Sequence, residues 1–160
     1  MTADGRLLPG AKPQPYLRTP FNEQWGRFSP EPNPRWVAYH SDETGRDEVY
    51  IRPFPEARGK TQISTGGGQY PQWRPDGQEL FYVSPDYRLM AVTLKIDGDS
   101  VTTSAPRELF QLPADDLGWS PYDTIDGQRF LVRAAPQHAA QPLTVVVNWP
   151  ALLKKDASAR

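Results

Sequence analysis

The sequence predicts an all-β protein assembled from repeated four-stranded antiparallel units. Three observations carry that reading. Short runs of β-branched and aromatic residues alternate with turn signals along nearly the whole chain. Pro (18) and Gly (12) recur so often among the 160 residues that long helices are excluded. A turn-and-strand phrase also repeats along the chain. Aromatic residues make up 11%, with five Trp, which argues against disorder as the source of this turn-rich composition.

The runs fall into three units. Gln24–Phe28, Trp36–His40, Glu48–Phe54 and Thr61–Ser64 read as the strands of the first. Tyr70–Trp73, Glu79–Val83, Leu89–Lys95 and Arg107–Gln111 read as the second. Trp119–Asp123, Arg129–Val132 and Leu143–Asn148 read as an incomplete third. Each run is of strand length. Pro15–Arg18 reads as a spare outer strand, and Pro150–Lys155 as a helical turn with Pro150 at its first position. Residues 1–12 and 156–160 read as tails around one unit of structure, 13–155.

The repeat gives the units a period. Arg74-Pro75-Asp76-Gly77-Gln78-Glu79-Leu80-Phe81-Tyr82 is a turn feeding a strand, and Ile125-Asp126-Gly127-Gln128-Arg129-Phe130-Leu131-Val132 restates it. Ser29-Pro30 to Tyr39 is a degenerate third copy. Asp-Gly suits a tight hairpin, because Gly supplies positive φ and Asp tolerates it. The Asp-Gly pairs of the two clear copies lie 50 residues apart, and Tyr39 and Tyr82, at matching positions, lie 43 apart. Four-stranded propeller blades repeat about every 40–45 residues. The predicted fold is therefore a partial β-propeller of about three four-stranded antiparallel blades, at 24–64, 70–111 and 119–148.

Phe28-Ser29-Pro30, Trp73-Arg74-Pro75-Asp76-Gly77 and Asp126-Gly127-Gln128-Arg129-Phe130 resemble the WD40-like, TolB-type propeller repeat. Over Pro13–Lys155 the chain is similar, more closely, to the C-terminal propeller of bacterial multidomain serine/threonine kinases. The residues that carry this are Thr19-Pro20-Phe21-Asn22-Glu23, Ser41 to Arg46, Val49 to Pro55, Ser64 to Gly68, and Val146-Val147-Asn148-Trp149. Three features depart from the family pattern. The first copy has Glu31-Pro32-Asn33-Pro34 in place of Asp-Gly and is two residues longer, which puts its register in question. The third copy is about one residue short and lacks the usual Pro. A closed propeller has typically 4–8 blades, so three leave two faces open. Two chains joined as a homodimer would complete a six-bladed ring.

Composition and motifs restrict the function. A net charge of -1 leaves no electrostatic footprint for nucleic acid. The absence of Cys removes disulfides, thiolate metal sites and Cys nucleophiles. No apolar run is long enough for a membrane span, and Met1-Thr2-Ala3-Asp4-Gly5 has no signal-peptide core. As written, the chain reads as soluble and cytoplasmic.

Candidate chemistry is sparse. Ser64-Thr65-Gly66-Gly67-Gly68 lacks the Lys of a phosphate loop and reads as a connector between blades. His40 and His138 are the only histidines, too few for a zinc site without Cys. His40 lies near Ser41 and Asp42, but no Gly-x-Ser-x-Gly elbow accompanies it. Asp97 and Asp99 match a calcium loop only in part, since Val101 and Thr102 occupy its fifth and sixth positions; a polar hairpin turn fits better. The kinase motifs Val-Ala-Ile-Lys, His-Arg-Asp and Asp-Phe-Gly are absent.

No catalytic residue, metal ligand or cofactor site is assigned. Trp25, Phe28, Tyr70, Trp73, Trp119 and Tyr122 cluster near the inner strands, where packing between blades is their first role. Arg27, Gln72 and Arg74 alternate with them. Trp25, Arg27, Tyr70, Gln72, Arg74 and Tyr122 are thus the candidate binding surface, by analogy with other propeller mouths. The resemblance implies a non-catalytic sensor or scaffold for a protein or peptide. The propeller part of a prolyl-peptidase-type hydrolase and a structural remnant without a ligand are the competing readings.

Overall fold

The structure is a computed structural model and describes residues 10, 12–113 and 120–133. Those residues are all-β. Blade one is an antiparallel sheet in chain order: β1 (Glu23–Phe28), β2 (Trp36–Ser41), β3 (Glu48–Pro53) and β4 (Thr61–Gln62). Blade two has five strands: β5 (Gln69–Trp73), β6 (Glu79–Val83), β7 (Arg88–Asp97), β8 (Ser100–Thr103) and β9 (Arg107–Gln111). β10 (Tyr122–Thr124) and β11 (Phe130–Val132) pair as the described part of a third unit.

The β2 and β6 runs are buried along their whole lengths. The reason is sandwiching: successive side chains point to opposite faces, and both faces are covered. Trp36, Ala38, Val49 and Ile51 of blade one share a core with Leu80, Tyr82, Val92 and Leu94 of blade two. The opposite face of blade two, with Phe81, Val83, Leu89 and Ala91, packs with Tyr122, Phe130 and Val132. Two apolar layers therefore hold three stacked sheets together.

The repeat survives in register. Arg27 pairs with Ala38 and Gln72 with Phe81, each just after a break in the ladder. The extra residues of the first hairpin are absorbed in its loop. Ser29 Oγ accepts the Arg35 and Trp36 N–H groups at 3.2 and 3.0 Å, and Ser29 N–H donates to Trp36 O at 2.9 Å. Buried Ser29 thus does the work of the missing Asp-Gly, and the altered turn leaves the pairing unshifted.

The second hairpin is wider than a two-residue turn. Gly77 N–H donates to Arg74 O and Arg74 N–H to Glu79 O, both at 2.9 Å. Only Gly77 in this loop has positive φ, at 72°, so Pro75 and Asp76 form a type I turn with Gly following. In the third copy, Ile125 stands where the second has Pro75, and Thr124, at the position of Arg74, ties the turn. Its hydroxyl accepts Gly127 N–H at 2.9 Å and donates to Arg129 O at 2.8 Å. Asp126 accepts the Arg129 and Gln128 N–H groups, which hold its carboxyl down at about 2.

Other expectations need correction. Pro15–Arg18 forms no strand. Pro15 has no N–H for a ladder, and Tyr16 instead donates its hydroxyl to Pro53 O at 2.6 Å and tilts against Phe54. Blade two holds an unforeseen strand, β8. Asp97 pairs with Ser100 across Gly98, φ 57°, so the aspartates sit at a hairpin turn that lengthens β7. Trp119, His138, 143–148 and the turn expected at 150–155 lie outside the described residues.

The glycine run is a connector between β4 and β5. Its geometry centres on buried Glu48, which accepts the Ser64 hydroxyl, Gly67 N–H at 2.9 Å and Arg46 Nε–H at 2.8 Å. Gly67 has φ 97°, and a Cβ there would lie 2.4 Å from Pro85 Cγ. Gly67→Ala is expected to destabilise the fold by about 1–3 kcal/mol, from overpacking and a strained φ. Urea denaturation measures it, and wild-type stability in this variant would contradict the packing.

Candidate functional site

The inner strands of the blades begin with an irregularity that occurs twice. The β1–β2 ladder shifts between Gln24 and Arg27, and the β5–β6 ladder between Gln69 and Gln72. Inside each bulge sits a non-Gly residue with positive φ: Trp25 at 57° and Tyr70 at 56°. Such backbone costs on the order of 1–3 kcal/mol per residue and persists where its surroundings over-determine it. The bulges aim both rings at one place, where they meet edge to face at 5.2 Å.

The peptide groups flanking Tyr70 are gripped from two sides. Its N–H donates to His40 Nδ1 of blade one at 3.2 Å. Its carbonyl accepts the Tyr122 hydroxyl at 2.9 Å. Burial pushes the Tyr122 hydroxyl well above its ordinary range, with the Arg27 charge opposing in part, so Tyr122 remains a donor at neutral pH. Burial likewise lowers the His40 pKa against the opposing Asp47 charge, which keeps the ring neutral and Nδ1 an acceptor. His40 is thus a positioning group for the Tyr70 backbone.

Arg27 completes the patch. Its guanidinium carbon lies 5.9 Å from the Trp25 ring centroid, within cation–π range. Its side chain is exposed and makes no ion pair among the described residues. Its backbone carbonyl accepts Trp73 Nε1–H at 3.1 Å, tying β1 to β5. Gln72 donates to Asp123 Oδ1 at 2.6 Å, tying β5 to β10.

Four of the six expected surface residues, Trp25, Arg27, Tyr70 and Gln72, belong to one connected arrangement; Tyr122 joins it through its hydroxyl but is itself buried, 5% exposed, and so is not part of the surface. Arg74 is engaged elsewhere. Its guanidinium bridges Asp76 at 3.1 Å and Glu79 at 3.0 Å, and Arg107 reaches the same Glu79 at 2.8 Å. Burial raises the Glu79 carboxyl, but the hydrogen bonds and charges of Arg107 and Arg74 outweigh it and hold the pKa below the ordinary value. The Arg74 methylenes also fill the space over Gly127, where a Cβ would lie 2.8 Å from Arg74 Cγ. Arg74 closes the seam between blade two and the third unit.

Sequence reasoning missed Asp123 and the backbone role of His40. Asp123 follows Tyr122 directly on β10, so alternation on that strand was the available signal. Nothing local marks His40 as the partner of a residue 30 positions away.

No protein-family model matches the chain, and no curated protein matches it either.

The His40 contact has a pH signature. Unfolded, this His takes a proton near its ordinary 6.5, while the folded ring resists one. Its stabilisation is therefore present above pH 6.5 and is lost as the pH falls through the lower folded value. Urea melts at pH 7.5 and 5.5 are expected to show lower stability at 5.5, with a smaller drop in His40→Gln. An equal drop in both proteins would remove His40 as the cause.

Proposed function

We propose that the chain is a non-catalytic binding module, a sensor or scaffold of TolB-like propeller type, that engages an acidic protein or peptide segment. The observation that carries this is Arg27, an exposed guanidinium without an ion-pair partner among the described residues, held over Trp25. A carboxylate approaching it meets a cation beside the Trp25 and Tyr70 rings, while the Asp123 carboxylate, held by Gln72, repels it from the β10 side. Strained bulges fix the Trp25 and Tyr70 backbones beforehand, so less ordering entropy is lost on binding. The likeness to kinase-linked propellers supports the same reading, in which the module contributes recognition to a signalling protein and no chemistry of its own.

The test compares fluorescein-labelled peptides rich in Asp and Glu with the same peptides carrying Asn and Gln. Acidic peptides are expected to bind more tightly, and Arg27→Ala to weaken them by about tenfold, in the range of an anchor residue. Equal affinity for both peptide sets would sink the proposal.

The homodimer belongs to the same proposal. Phe28, 57% exposed, lies on the side of blade one away from blade two. Ile125 and Leu131, each 76% exposed, flank a hollow of about 460 Å³ on the third unit. A two-fold axis sets the third unit of one chain beside blade one of the other, which covers Phe28 of one and Ile125 and Leu131 of the other. Light scattering after size exclusion is expected to give twice the chain mass, and Leu131→Asp to give a folded monomer. A monomeric, cooperatively melting wild type would rule the ring out.

A further inference from the structure

Two of the breaks in the repeat meet at one groove. The longer first hairpin loop contributes Ser29, Glu31 and Arg35. The β7 extension, which blade one lacks, contributes Leu94, Lys95 and Ile96. Between them lies a volume of about 570 Å³, closed at the side by Trp73 and the Asp76–Gln78 turn. That volume lies within the usual range for ligand clefts.

The wall formed by β7 is an open sheet edge. Leu94 N–H donates to Gln78 O at 2.8 Å, the last bond from β7 toward β6. Thr93 and Lys95 face the other way: Ser104 N–H donates to Thr93 O at 3.0 Å, and Thr102 Oγ1 to Lys95 O at 3.4 Å. Strand alternation then turns the N–H and C=O of Ile96 to the same side as those of Leu94. The chain opposite has already turned away into the Pro75–Gln78 loop. The Ile96 peptide groups therefore face the groove without a strand to pair with.

Charge selects what can fill the place. Asp76 is matched by Arg74 at 3.1 Å. Glu31 accepts Arg35 N–H at 3.0 Å and lies 3.8 Å from the Arg35 guanidinium. Lys95 makes no ion pair among the described residues. An exposed Lys beside a free edge discourages indiscriminate strand pairing, and it leaves an acidic strand as the one that gains by docking.

We propose that this groove takes an extended peptide segment bearing one carboxylate, which adds to the β7 edge. Ile96 exchanges main-chain hydrogen bonds with it, Lys95 meets the carboxylate, and the apolar parts of Trp73, Leu94 and Ile96 receive a β-branched side chain. This is strand addition, in which the main chain supplies affinity and the side chains supply choice. The site is separate from the Arg27 patch and does not depend on it.

The experiment titrates the full chain in an Arg27→Ala background, so that the inner-strand patch contributes nothing. The probe is a library of labelled hexapeptides of Val, Ile and Thr with one Asp or Glu at each position in turn. Saturable binding by anisotropy is expected, weakened about tenfold by Lys95→Glu and by Ile96→Pro. Ile96→Pro removes the N–H that points into the groove together with the Ile96 side chain that packs on the core, and proline is tolerated at such an edge. Amide exchange at Ile96 is expected to slow when peptide is bound. Absence of any saturable binder, equal affinity for Lys95→Glu, or unchanged exchange at Ile96 would each overturn the proposal. If Ile96→Pro melts early, the Lys95→Glu titration and the exchange rate decide alone.

Discussion

The backbone of Tyr70 is the point on which the arrangement turns. One of its polar groups is held by His40 of blade one and the other by Tyr122 of the third unit. The residue between them stands in a conformation that L-residues with large side chains seldom adopt. Neither neighbour alone would justify the strain. Together they link all three sheets at the inner end of the stack, where Trp73 and Gln72 add parallel ties to Arg27 and Asp123. The candidate binding patch is thus also the junction of the sheets.

Much of the architecture is legible in the sequence because sandwiched blades leave a strong trace. Strands buried on both faces read as short apolar runs, and the turns between them carry Pro, Asp and Gly. The 43-residue spacing of Tyr39 and Tyr82 places both at equivalent ladder positions, as the β2 and β6 registers show. Strand β8 is obscured because Ser100–Thr103 is short, polar and next to an Asp-Gly turn that reads as loop. At Pro15–Arg18 the β propensity of Tyr16 and Leu17 points to a strand, and the missing N–H of Pro15 outweighs it.

The candidate site is legible only as an alternation of aromatic and polar residues. That pattern groups Trp25, Arg27, Tyr70 and Gln72, which the structure brings together, and Tyr122, which it buries beneath them, since residues of one inner strand do approach those of the next. It fails to separate Arg74, whose partner Glu79 is joined to it by the hairpin itself. The bulges leave no trace, because neither Trp25 nor Tyr70 is the Gly that positive φ favours.

The meander has a kinetic meaning as well. Nearly every ladder joins strands that are neighbours in sequence, and the β7–β9 pairing skips only the short β8. Loop closures are correspondingly brief for an all-β chain, which favours rapid formation of each sheet by itself. The ties between sheets span much longer separations: 46 residues for Trp73 to Arg27 and 52 for Tyr122 to Tyr70. They can close only once the sheets they join exist. The separations predict local sheets first and the inner-strand junction last, so the candidate patch would be complete only when the whole stack is.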